Sequence, residues 1–122
     1  MADFTRDEVL QVVLDGRKCR GANLQDIDLV KADLVRANFA EANLSSANLT
    51  GAGLLMANLS GADLSMANLS GAYMVGTNLR GANLQKADLT GTDLDAKYNA
   101  DTRWPEGIDP KAAGAVLVTV GD

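Results

Sequence analysis

The stretch Ala57-Asn58-Leu59-Ser60-Gly61-Ala62-Asp63-Leu64-Ser65-Met66-Ala67-Asn68-Leu69-Ser70-Gly71 states one pattern three times, once every five residues. A leucine at every fifth position suits neither regular element. In a straight strand side chains alternate with a period of two, so successive leucines would face opposite sides. On an α-helix five residues advance about 500°, and the leucines would spiral around the axis. All of them reach one interior only if the chain makes a short extended run and then turns a corner, always in the same sense. Alanine and leucine, two apart, then point inward, and the Asn or Asp between them points out. The last residue takes the corner and is often glycine (Gly51, Gly61, Gly71, Gly76, Gly81, Gly91), which tolerates the backbone a tight turn needs. The spacing predicts an all-β solenoid.

Outward from that stretch the repeat runs without a slip from Ala22 to Ala96, fifteen consecutive pentads. The third residue is leucine except at Phe39 and Met74. The first is alanine except at Ile27, Thr77 and Thr92, and the second is Asn or Asp except at Gly53 and Tyr73. A worn pentad, Arg17-Lys18-Cys19-Arg20-Gly21, fits in front with cysteine at the leucine position. Departures from a shared pattern align where they share a face. Gly53 and Tyr73 are 20 apart, as are Val35, Leu55 and Val75 in turn. Stacking at 15 would instead place Val35 on Thr50 and Ser65, with no such grouping. Four pentads per coil follow, giving a square cross-section and about four coils. At the strand spacing of ~4.8 Å such a rod is about 20 Å tall.

A-(N/D)-L-x-x in tandem over roughly two-thirds of the chain resembles the pentapeptide repeat family. The resemblance implies a right-handed quadrilateral β-helix, with the handedness implied by the family alone. The segment Tyr98-Asn99-Ala100-Asp101-Thr102-Arg103-Trp104-Pro105-Glu106-Gly107-Ile108-Asp109-Pro110 is similar to an ending common in cyanobacterial members. Most members have no assigned biochemical role. A subset inhibits or protects DNA topoisomerases by resembling the charge and shape of duplex DNA.

A solenoid exposes its core and its strand edges at both ends, so both need closing. Thr5-Arg6-Asp7-Glu8 reads as a capping box, with Thr5 as N-cap and Glu8 at N3. Val9, Leu10, Val13 and Leu14 follow on one face and Gly16 stops the helix, which predicts a helical lid over 5–15. At the other end Trp104 and Ile108 are the expected plug. Asp109-Pro110 would open a short turn ending at Gly114, and Val116-Leu117-Val118 would form a final strand or an extended tail. One structural domain is expected, with an N-terminal helical cap at 1–16, the β-helix at 17–96, and a C-terminal cap and tail at 97–122.

Composition narrows the chemistry. The 122 residues are 47% hydrophobic but 4% aromatic, so the core is aliphatic. There is no histidine and one cysteine, which rules out a disulfide within the chain or a Cys/His zinc site. Met1 to Glu8 lacks a basic segment followed by an apolar run, and no stretch approaches about eighteen continuous apolar residues. No signal peptide, no membrane span and a cytoplasmic location are therefore expected. Cys19 at a leucine position reads as a buried, inert thiol with no histidine to activate it. Asp93 and Asp95 point outward from one strand like a carboxylate pair, but no pocket accompanies them to raise a pKa. The corner glycines precede no phosphate-binding lysine motif. Arg17, Lys18 and Arg20 form a small basic cluster without the aromatic residues of a nucleic-acid surface. The residues thus point to no enzyme, no catalytic or metal site, no cofactor, no small-molecule substrate and no nucleic-acid partner.

A DNA mimic requires regular negative charge, since duplex DNA carries about one charge per 1.7 Å. Residues 22–96 hold eight acids (Asp26, Asp28, Asp33, Glu41, Asp63, Asp88, Asp93, Asp95) against four bases (Lys31, Arg36, Arg80, Lys86), and 42–79 holds Asp63 alone. A DNA-mimicking topoisomerase (gyrase) inhibitor or protector is thus the alternative reading. The favoured one is a non-enzymatic protein-interaction or scaffold module. With four pentads per coil, those centred on Leu34, Leu54, Met74 and Leu94 stack on one side. Its outward residues include Val35, Gly53, Leu55, Met56, Tyr73 and Val75, where other sides carry mostly polar or small ones. Five apolar side chains in three adjacent coils form a patch of the size that marks a contact site. Either the tail Ala112–Val120 covers it, or another molecule does, with a homodimer the simplest case.

Overall fold

The computed structural model describes residues 4–14 and 19–119, apart from the side chains of 12–14. Gly16, Arg17, Lys18 and Val120, and the Val13 and Leu14 side chains, lie outside the described residues.

The repeat forms a ladder in which each second-position residue bridges, in parallel, to the one 20 further on. Asn23 pairs with Asn43, Asn43 with Asp63 and Asp63 with Asn83, and three other columns run the same way. The spacing of 20 is therefore that of the observed coils. The strands are one or two residues long because the corner returns so soon.

One pentad shows where every backbone N–H goes. The Ala57 amide donates across the corner to the Leu54 carbonyl at 3.0 Å. Asn58 donates to Ala37 in the preceding coil at 2.9 Å, and Leu59 and Gly61 donate to Asn78 and Arg80 in the next, both at 2.8 Å. That leaves Ser60, whose amide has no carbonyl opposite it. The Asn58 side chain supplies the acceptor, with Oδ1 at 3.0 Å from the Ser60 nitrogen. The same bond recurs from Asn23 to Asp93, so the Asn or Asp of the consensus is a backbone acceptor folded back on its own corner. These side chains are mostly half-buried in the ladder, less solvated than outward-pointing residues are expected to be.

The corners are equally regular. Every fifth residue from Gly21 to Gly91 has φ between 56° and 73°. Eight of the fifteen are not glycine: Asp26, Lys31, Arg36, Glu41, Ser46, Met56, Met66 and Lys86. Fixed geometry overrides the preference for glycine here. Where a corner glycine does follow one coil below a long side chain, that side chain lies across it, as Lys31 does on Gly51, Glu41 on Gly61 and Met56 on Gly76.

The interior is a stack of leucines at the third positions with alanines at the first, almost all fully buried. Cys19 takes a leucine position as expected, with its amide donating to the Asn38 carbonyl as Leu24 does to Asn43. It heads the column that next holds Phe39, so the small thiol stands beside the bulkiest of the fully buried side chains. Thr77 and Thr92 replace inward alanines, and each hydroxyl donates to a leucine carbonyl one coil back (Leu54 and Leu69) at 2.6 Å. The polar group is buried with a partner, which is the condition for placing it there.

The ladder continues beyond Ala96. Asn78 bridges to Lys97, a step of 19, and Asn83 to Arg103. The corner after Leu94 is one residue short, closed by the Ala96 amide on the Leu94 carbonyl, so Ala96 fills a first position and is buried. Tyr98 and Trp104 then stand where leucines stood. Their rings meet edge to face at 5.4 Å between centroids.

The helix α1 spans Arg6–Leu14. Thr5 Oγ1 accepts the Glu8 amide while Glu8 Oε1 accepts the Thr5 amide, the reciprocal pair expected of this sequence. Val9 is fully buried, Phe4 and Leu10 pack on the core, and the Arg6 guanidinium reaches Asp28 of the first coil. At the other end strand β1 (Lys97–Tyr98) pairs in parallel with β2 (Val116–Leu117), so the tail adds one more rung beneath the Asn38–Asn58–Asn78 column. Asp109 begins the turn before it, accepting the Ala112 and Ala113 amides, and Gly114 ends it. Trp104 packs on the core; Ile108 is half-buried.

Candidate interaction face

The side of the rod between corners 31 and 36 is built from the bridges Asp33–Gly53, Gly53–Tyr73 and Tyr73–Asp93. It brings together all six residues singled out in the sequence. Leu34, Leu54, Met74 and Leu94 fill the interior behind it, and the next residue of each strand points out. Val35, Leu55 and Val75 thus form one column at 38–41% exposure, with Tyr73 at 57% and Met56 at 52% beside them. Gly53 is a half-buried hollow, and the nearest atom to a Cβ placed there would be the Ala32 carbonyl oxygen at 3.9 Å.

The same two exceptions to the consensus alter the backbone. Gly53 and Tyr73 have no side-chain carbonyl or carboxylate to fold back. The amides of Leu55 and Val75 therefore lack the acceptor that Ser60, Ser65 and Ser70 have in the other faces. This face gives up two hydrogen bonds that the repeat supplies elsewhere and gains apolar surface.

The described residues of the tail do not cover it. The described part, through residue 119, runs along the neighbouring face, and Val116 and Leu117 are themselves exposed. Charge lies at the two ends of the patch: Lys31, Asp33 and Arg36 in the coil nearer the N-terminus, Asp93 and Asp95 in the coil nearer the C-terminus. All five are exposed. Acids on the adjoining face also sit at its ends, as Asp28 and Asp88 flank Asn48 and Asn68, so among the described residues no face carries an unbroken line of negative charge.

Other candidate chemistry stays apart. Burial pushes the Cys19 thiol above its ordinary pKa, the opposite of nucleophile activation. Hydrogen bonds from the Thr90 hydroxyl and amide hold the exposed Asp88 carboxyl below its usual value. Among the described residues no three His, Cys, Asp or Glu side chains gather to hold a metal, and no helix is long and apolar enough to cross a membrane. An open groove lined by Met66, Gln85, Lys86, Trp104 and Glu106 lies elsewhere on the surface. Met66, at 62% exposure, was not singled out in the sequence. Its signal is a methionine at a corner position, as at Met56.

Comparison with known proteins gives the same architecture. Residues 18–54 and 57–95 match the model for pentapeptide repeats in eight copies. No curated protein sequence matches the chain. Among solved structures, a pentapeptide repeat protein of Nostoc PCC 7120 is similar with a TM-score of 0.68 and 33% identity, over 93% of this chain and 96% of that one. Rfr23, a pentapeptide repeat protein of Cyanothece 51142, gives 0.66 and 42% over 67% of this chain and 56% of its own. One from the Arabidopsis thaliana thylakoid lumen gives 0.64 and 29%, over 87% and 64%. Such proteins fold as right-handed quadrilateral β-helices, and with the ladder spacing of 20 and the family match over most of its length, this chain belongs to the pentapeptide repeat family.

Proposed function

We propose that the protein is a non-enzymatic interaction module: a rod of about four coils, closed by the N-terminal helix and the C-terminal tail, that binds another protein through the Gly53–Tyr73 side. One observation carries this reading. Val35, Leu55, Met56, Tyr73 and Val75 are all exposed in three adjacent coils, on the side where the repeat twice forgoes its backbone-capping Asn or Asp. Exposed apolar residues scattered singly need no explanation, whereas a contiguous group does. Flat strand faces offer a partner a rigid platform, so little ordering opposes binding.

A photo-reactive phenylalanine analogue in place of Tyr73, in cells expressing the protein, tests the proposal. The same analogue at Asn68, on the adjoining face, serves as control. Adducts that form at Tyr73 and not at Asn68 are expected. Equal or absent adducts at the two positions overturn the reading.

A further inference from the structure

We infer that the occupant of this face is a second copy of the chain, packed face to face with the two rods antiparallel. The inference rests on the interaction reading and specifies its partner. A two-fold axis lying in the interface, parallel to the strands and passing between the Gly53 and Tyr73 coils, keeps each residue's place along its strand and inverts the order of the coils. Tyr73 of one copy then stands over Gly53 of the other, a ring against a hollow, and the reverse contact repeats it. Leu55 meets Val75, again twice. Asp95, which holds the place of Val75 in its strand, comes over Val35 with its carboxylate beside Arg36, and Lys31 comes beside Asp93. Asp33 and Asp93 come opposite each other, with Lys31 and Arg36 to either side.

The parallel arrangement fails on the same residues. An axis along the rod would set the net-positive Lys31–Asp33–Arg36 end against its own copy and the Asp93–Asp95 end against its own copy, net like charge on like at both ends. Like charges brought together across an interface oppose binding, whereas opposite ones fix register. Among the described residues, no ion pair within the chain engages Lys31, Arg36, Asp93 or Asp95, so all four are free to pair across such an interface. An isologous contact of this kind uses one patch twice and closes after two copies. The patch is only four strands tall, so it falls below the ~1,200 Å² typical of stable complexes, and the dimer is a weak one that assembles at roughly tens of micromolar or above.

Sedimentation equilibrium of the full chain, from about 10 μM to about 1 mM to bracket that range, tests the inference. The mass is expected to rise toward twice that of the monomer. Gly53→Asn fills the hollow while restoring the consensus, so it should melt higher than the wild type yet weaken dimerisation at least tenfold. Arg36→Asp and Asp95→Arg should each weaken it by a similar factor, and the double variant should recover it. A monomer throughout, a dimer indifferent to Gly53→Asn, or a double variant no better than the singles each overturns the inference. The cross-linker at Tyr73 separates this from the broader reading. Adducts at twice the chain mass support a second copy. Adducts only to a different protein overturn the dimer and leave the interaction face standing, and no adducts at all overturn both.

Discussion

Asn58 Oδ1 accepts the Ser60 amide at 3.0 Å and the Ser60 hydroxyl at 2.7 Å, closing the one backbone donor of its pentad that no strand can reach. Gly53 sits one face earlier in the same coil and supplies no such acceptor to Leu55. Asn58→Ala should therefore destabilise the rod by about 1 kcal/mol, the usual worth of a side-chain acceptor on an otherwise unpaired backbone amide. Gly53→Asn should stabilise it by a similar amount, since it adds the acceptor, reduces the freedom of the unfolded chain and meets nothing closer than 3.9 Å at Cβ. Melting of the two variants beside the wild type at low protein concentration checks both signs.

The leucine and alanine columns carry different tolerances. Leu64 is fully buried, and Leu64→Asp would place an unpaired charge among stacked leucines, so the variant should fail to fold. Ala62 is 1% exposed between Ala42 and Ala82, and Ala62→Leu should cost about 1–3 kcal/mol by overpacking. Circular dichroism and chemical denaturation give both values. A folded Leu64→Asp variant would contradict the inward placement of the pentad centre.

Corner strain is separable from packing at Gly71. Its φ is +66° and a Cβ there would meet nothing within 4 Å, so Gly71→Ala isolates the backbone term. A loss of about 1 kcal/mol is expected, and denaturant midpoints measure it. The converse, Ser46→Gly at φ 58°, should be neutral or slightly stabilising, because relieved strain and added unfolded-state freedom oppose each other.

Cys19 should react with a soluble thiol reagent at neutral pH only when the rod is unfolded. Its thiol is buried beside Phe39 in the column and its pKa is raised, so native thiolate is scarce. Rapid labelling of the folded protein would show that the first coil opens.

The coil was legible because leucine, alanine and corner recur with one period, and Val35, Leu55 and Val75 betray the stacking at 20. The carbonyl-like role of Asn58 was not, because an outward polar residue and a backbone cap look alike in sequence. Nor was the short corner at Asp95, where Tyr98 and Trp104 replace the leucines that mark register. The Thr77 hydroxyl finds Leu54 across a coil, a contact between residues 23 apart that no local pattern announces. The six residues of the face were legible as exceptions to a strict rule. The position of the tail was not, since Val116 and Leu117 would suit either an edge rung or a cover.

The central claim is that the Leu55–Val75 column serves contact with another molecule and contributes little to the fold of one chain. Leu55→Glu combined with Val75→Glu, melted against the wild type at about 1 μM, below the expected range of association, tests it most directly. Two surface substitutions should each stay within about 0.5 kcal/mol, so the melting temperature should move by no more than about 4 °C. A fall of about 10 °C or more would mean that these side chains hold the monomer together, and would contradict the account.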